Sequence, residues 1–256
     1  MSAPRSLQAA LAPYLIVGGG LALSVGYILA ITDWSRMATP EIALSNLKRF
    51  FPPSFDVIPG LLQPTIDTLF MAVFATLLIG LIVPPVVWLS ANNISPNRFT
   101  VWIGRGIVIC SRSIHELVWG LLFVIAVGLG PLAGILALAV RGIGFVAKIV
   151  AEEVESLDTK PIEALRATGA GPLKVLILAV VPQIMPVYIG TLIFQCELDI
   201  RRAAVIGVVG AGGLGLAFHQ AMIQFKWADA MAIVVILVVI VSLGEILSRQ
   251  LRKRII

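Results

Sequence analysis

The stretch Glu152–Pro182, EEVESLDTKPIEALRATGAGPLKVLILAVVP, decides how this chain is read. It is the longest charge-rich interval between two strongly apolar blocks, and its punctuation predicts a short helical hairpin. Asp158 or Thr159 is placed to cap a helix carrying Pro161 in its first turn, and Glu163 lies close enough to that start to favour the positive end of the helix dipole. Gly169 and Gly171-Pro172 then stop the helix, since glycine accepts a C-terminal cap and proline cannot continue the ladder. A new apolar helix is expected from about Lys174.

The surroundings of this hairpin place it beside a bilayer. The chain has 256 residues, of which 59% are hydrophobic and 13% charged, with a mean hydropathy of +1.00. Soluble domains carry roughly 25% charged residues, so half the usual charge is missing. The formal net charge of +5 does not call for nucleic acid as a partner. Arg249, Arg252, Lys253 and Arg254 follow an apolar span directly, the usual mark of a cytoplasmic helix end next to lipid headgroups. Cys110 and Cys196 sit in apolar or span-end contexts and make no disulfide framework. Only Arg5 precedes the first apolar run and no small-residue cleavage site follows it, so a retained anchor is expected rather than a signal peptide.

About 20 apolar residues are needed to cross a bilayer, and six segments qualify. They are Ala12–Ile31; Pro64–Ser90, with a kink expected at Pro84-Pro85; a broken or tilted third span between Phe99 and Gly128; Leu132–Val150; Leu173–Gln195; and Ala228–Leu247. Six spans return both termini to the side of the 152–182 loop. That topology puts Arg5, Arg98, Lys148, Lys160, Arg166, Lys174 and the four C-terminal cations on one side, with Arg36, Lys48, Arg49, Arg201, Arg202 and Lys226 opposite, which favours cytoplasmic termini. No stretch matches G-x-x-x-x-G-K-[ST], so any ATP-driven motor is expected on another polypeptide.

The order Glu163-Ala164, then Gly169, then Pro182 resembles the EAA loop of ABC-transporter permeases, with Leu165, Ala179 and Val181 standing where that family has Ala, Ile and Leu. The run from EALRATGA through VVPQIMP to E-x-D-x-R-R-A-A-V-I-G-x-V-G-A-G-G-L-G, within the second half of the chain, looks closest to phosphonate or phosphite importer permeases. The resemblance implies an all-α membrane protein of about six transmembrane helices with the type I importer permease (MetI-like) fold, forming one permease domain over 1–256 with a coupling loop at 152–182. It implies a transporter subunit rather than an enzyme: a homodimer or paired permease in the cytoplasmic membrane, with two cytoplasmic ATPase subunits that hold ATP and magnesium, and an external binding protein. This chain itself then needs no cofactor. Glu163, Ala164, Arg166, Gly169 and Pro172 would carry the coupling to the ATPase; an ordinary polar loop between two spans is the plainer alternative. A methionine importer, or a membrane scaffold docking a non-ATPase partner, are the competing functions.

Gly210, Gly212 and Gly215 literally satisfy G-x-G-x-x-G, but no alternating β and α units surround them and Asp229 opens an apolar span, so a dinucleotide site is not expected. The segment, Gly213 included, also resembles the glycine run of phosphonate and methionine permeases, where small residues let helices pack closely or line a gate. Glu197, Asp199, Arg201 and Arg202 precede it, and charge of that density must face a cavity, a partner or water. Arg201, Arg202, Glu197 and the mid-span Arg141 are the candidate substrate pathway, with Arg201 and Arg202 expected to meet an incoming anion first; a helix-end anchor is the alternative for both. Arg112 and Glu116 are spaced to form a structural ion pair on one helix face, with His115 as a neutral-pH titrant beside them. No metal site is expected, because His115 and His219 are far apart and Cys110 completes no ligand set.

Overall fold

The computed structural model describes residues 7–33 and 39–254, all of it helix, turn and connection. The chain divides into two compact units, Met1–Lys48 and Arg49–Ile256. In the first unit, α1 (Leu7–Ile31) follows the expected first span, and a short α2 (Pro40–Lys48) begins on a proline and ends on Lys48. The part of α1 from Val17 to Ile31 is apolar and exposed but shorter than 18 residues. Arg5 and Arg36, used in the charge count, lie outside the described residues.

The second unit holds the rest: α3 (Ile58–Ser90), α4 (Arg98–Ser113), α5 (Glu116–Val127), α6 (Pro131–Glu155), α7 (Lys160–Ala167), α8 (Pro172–Val175), α9 (Val181–Ile206), α10 (Gly213–Ile223) and α11 (Trp227–Arg252). Four helical segments are long and apolar enough to cross a membrane: Phe55–Ser90, Pro131–Glu155, Leu176–Val209 and Trp227–Arg252. A fifth crossing exists if α4 and α5 count as one span bent by 95°. The described residues thus supply four spans by length and composition, or five with the bent pair, and α1 follows the remaining expected segment. The expected kink at Pro84-Pro85 does not end a helix, because α3 runs unbroken through both prolines to Ser90. Its C-terminal connection closes onto α4 by a capping box in which Asn97 accepts from Thr100 N at 2.9 Å and Thr100 Oγ1 accepts from Asn97 N at 3.3 Å.

α6 is the centre of the packing. Ala137, Leu138, Val146, Ala147 and Val154 are buried against Met71, Ile79 and Val83 of α3. Small residues set the approach distance. A Cβ on Gly142 would run into Ile79 Cδ1, and one on Gly134 would stand 3.2 Å from the Ala211 Cβ. Without a hydrophobic gain from burying apolar surface out of lipid, such close van der Waals contact is what holds membrane helices together.

The fifth expected span, Leu173–Gln195, ends too early. A π-helical turn (Leu176–Val180) leads directly into α9, and helical structure continues to Val209, 34 residues from Leu176. At 1.5 Å per residue that is about 50 Å, well beyond the ~30 Å of a hydrocarbon core. The helix must therefore tilt or project from the bilayer, and Glu197, Asp199, Arg201 and Arg202 lie inside it rather than at an emerging end.

Candidate coupling loop and buried charge network

The 152–182 hairpin forms as its caps demand. α6 ends at Glu155, Asp158 Oδ1 accepts from Lys160 N at 3.1 Å, and α7 opens with Pro161 in its first turn. The termination is a Schellman motif: Gly169 N donates to Arg166 O at 3.0 Å and Ala170 N to Leu165 O at 3.3 Å. Gly169 has φ +77, which a β-carbon disfavours and glycine accepts freely. Glu163, Ala164, Arg166 and Gly169 are exposed, and Pro172 begins α8. Glu163 and Arg166 stand on the rim of a 640 Å³ cavity that Trp88, Asn93 and Leu176 help to line. The loop thus presents a capped polar turn beside a concave surface at the end of α3.

A second cluster, deeper in the unit, gathers charge from three helices. The chain breaks at 114–115, where His115 Nδ1 accepts from Leu117 N at 3.3 Å and starts α5. That break turns Glu116 inward. Its carboxylate lies 3.8 Å from Arg141 Nε of α6 and 3.8 Å from Arg202 Nε of α9. Arg202 Nη1 is 3.6 Å from Asp199 Oδ1, and the fully buried Asp199 accepts from Gln195 Nε2 at 2.7 Å. The expected Arg112–Glu116 pair is not formed: a 95° bend separates the two positions, so they no longer share a helix face, and Glu116 pairs with Arg141 and Arg202 instead. Four charged side chains in or near a membrane core are affordable only in such mutual contact.

Glu197 belongs to a different contact. It pairs with Arg201 one turn on and, at 3.6 Å, with Arg252 of α11. Arg252 also lies 5.5 Å from the centre of the Phe194 ring. Of the four expected pathway residues, Arg141 and Arg202 therefore converge on one carboxylate, while Glu197 joins α9 to Arg252 of α11 and Arg201 pairs with it within α9.

The glycine run is a packing hub. Gly210, Gly212 and Gly213 have φ +96, +86 and +67, and the run turns the chain from α9 into α10. Gly130 N donates to Gly210 O at 3.1 Å, and Leu214 N donates to Thr68 Oγ1 at 2.8 Å. A Cβ on Gly215 would strike the Ala204 carbonyl. Among the described residues no strand precedes the run. Its conformation serves helix packing.

Three contacts escaped sequence reasoning. Glu155 Oε1 accepts from Asn92 N at 2.8 Å, from Asn92 Nδ2 at 2.9 Å and from Arg105 Nη2 at 3.1 Å, tying the start of the coupling loop to the α3–α4 turn. Gln195 supports Asp199, and Ser111 bridges α4 to α6 by donating to Val140 O and accepting from Gly144 N at 3.1 Å. Gln195 and Asp199 stand one helical turn apart, a spacing visible in the sequence; the other partners, 29 to 63 residues apart, leave no local signal.

Long apolar helices, a bent span, a capped polar turn between spans and a glycine hub define a multi-pass membrane permease with the type I importer fold. The chain belongs to the binding-protein-dependent transport system inner membrane components, whose family model matches residues 85–256. It is 36% identical over 239 residues to the phosphite transport system permease protein PtxC of Stutzerimonas stutzeri, covering 93% of this chain and 86% of that one. It is 38% identical over 230 residues to the phosphate-import permease protein PhnE of Mycolicibacterium smegmatis, covering 89% of this chain and 42% of the relative's length. Among solved structures, an inward-facing conformation of the MetNI methionine ABC transporter superposes with a TM-score of 0.68 at 25% identity, over 79% of this chain and 99% of that one.

Proposed function

We propose that this chain is the transmembrane subunit of an ABC importer that carries phosphonate or a related phosphorus oxyanion (phosphite, hypophosphite or phosphate) across the cytoplasmic membrane. The observation that carries the reading is the likeness to the phosphite permease over nearly the whole of both chains. In this reading the whole chain, 1–256, acts as one permease domain and pairs with a second permease. Two cytoplasmic ATPase subunits dock at Glu163, Ala164, Arg166, Gly169 and Pro172 and bind ATP and magnesium themselves. An external binding protein delivers the anion, and both termini face the cytoplasm.

The substrate pathway in this reading passes Arg141 and Arg202, with Arg201 and Glu197 bracing α9. The ion pairs of Glu116 at 3.8 Å are long enough to be remade as helices move, and their cations match the charge of a phosphorus oxyanion. ATP-driven closure at the α7 turn would tilt α6 and α9, which carry those cations. A methionine importer is the second reading, favoured by the MetNI superposition.

The test is reconstitution of the permease with its ATPase and binding protein in vesicles, followed by uptake of phosphite, methylphosphonate, phosphate and methionine. ATP-dependent uptake of at least one phosphorus oxyanion is expected. Uptake of methionine alone, or failure of any ATPase to co-purify, overturns the proposal.

A further inference from the structure

The face of α6 turned toward α4 carries a charged trough that meets the Glu116 contact at Arg141. A cavity of 450 Å³ is lined there by Arg105, Arg112, Arg141, Lys148, Glu152 and Glu155. The crossing of the two helices explains the arrangement. A Cβ on Gly144 would stand 2.8 Å from Arg112 Cγ, so the Arg112 stem lies across Gly144. Gly144 is three residues after Arg141 and four before Lys148, so these two cations of α6 share the face against which Arg112 of α4 lies. The distance from Arg141 to Lys148 along α6 is about 10 Å.

The cations of the trough are unequally neutralised. Arg105 pairs with Glu155 at 3.1 Å and Lys148 with Glu152. Arg141 has Glu116 only at 3.8 Å, and its Nη1 is buried with no hydrogen-bond partner among the described residues. Arg112 forms no ion pair among the described residues. Four lining cations face two lining carboxylates, and the surplus sits at the inner end, where Arg112 and Arg141 meet. Arg141 Nη1 is a buried guanidinium donor without an acceptor, and the exposed Arg112 beside it has no carboxylate partner among the described residues; a tetrahedral oxyanion satisfies both, by bidentate contact.

Resting on the proposed function, we propose that this trough is a binding site for a phosphorus oxyanion in transit, with Arg112 and Arg141 as its ligands and Lys148 and Arg105 leading to its outer end. The outer end lies at Glu155, where α6 enters the coupling loop, so the trough runs between that loop and the middle of α6. An anionic lipid headgroup offers the same chemistry from another source. The inner end favours the soluble ion, because Arg141 is only 21% exposed and also faces the Glu116 contact between packed helices.

The experiment uses the assembled transporter in nanodiscs, with Cys110 and Cys196 replaced by serine and Ser113→Cys as a reporter on the trough wall. The rate of its reaction with a methanethiosulfonate reagent is measured with and without millimolar inorganic phosphate or sulfate, against chloride at equal ionic strength. Phosphate is expected to slow labelling several-fold in phosphatidylcholine discs, and Arg112→Gln or Arg141→Gln is expected to abolish the protection. Absence of protection by either oxyanion overturns the site, as does protection that survives both substitutions. Protection that appears only with phosphatidylglycerol in the disc assigns the trough to lipid and overturns it too. Protection by sulfate in a transporter that imports no phosphorus oxyanion keeps an anion site and refutes the proposed substrate class. Phosphite import without protection does the reverse.

Discussion

Replacing Gly215 by alanine tests whether the glycine run is a packing hub or a flexible gate. The added methyl group would strike the Ala204 carbonyl oxygen and stand 2.8 Å from the Ala204 carbonyl carbon and 2.9 Å from Gly207 Cα. All three atoms are backbone, at the end of α9 and the turn after it, so no rotamer change relieves the clash. α10 must move off α9, straining the Leu214 N to Thr68 Oγ1 bond that holds it to α3. Overpacking of a close-packed interior costs about 1–3 kcal/mol, and a backbone clash belongs at the upper end of that range. For a chain of this size ~3 kcal/mol corresponds to a fall in melting temperature of roughly 6–12 °C. The assay is a thermal ramp in detergent followed by size-exclusion chromatography, with uptake measured at a temperature where the variant stays assembled. A melting temperature within ~2 °C of wild type would refute the packing argument.

Two further outcomes follow from the same geometry. Gly169→Trp meets nothing within 4 Å of the position where its Cβ would lie, so only the left-handed backbone is strained, by about 1–2 kcal/mol. Assembly should persist while stimulation of ATP hydrolysis by the loaded binding protein is lost; normal stimulation would remove the coupling role of this turn. For topology, single cysteines at Lys160 and Lys253 are expected to label from the cytoplasmic side alone and one at Pro53 from the external side alone. Labelling of Pro53 and Lys253 from the same side would exclude cytoplasmic termini with a chain that crosses between them an odd number of times.

The polar turn at 160–170 was legible in the sequence because everything that builds it is local. Pro161, Gly169 and Gly171-Pro172 act through bonds spanning no more than five residues, and the Leu165–Ala170 pairing closes as a glycine cap must. The bilayer setting was equally legible, since length and apolar content alone require it. Helix ends were less so. Gln195 looked like a span end because Glu197, Asp199, Arg201 and Arg202 follow it. Unpartnered charge would be costly to bury there, but Glu116 of α5 and Arg252 of α11 supply the partners that let α9 continue.

The sequence by itself determined the class of molecule: apolar helices too long for a soluble core, a polar turn capped at both ends, and glycines where helices must touch. Only the tertiary structure decided how the charges are shared. Glu116 lies 25 residues from Arg141 and 86 from Arg202 in the chain, and no periodicity links positions so far apart. The break at 114–115 turns Glu116 away from Arg112, and the close approach at Gly144 lays Arg112 along α6. Pairing of buried charges is settled by which helices pack face to face, and that is a property of the assembled core rather than of any segment within it.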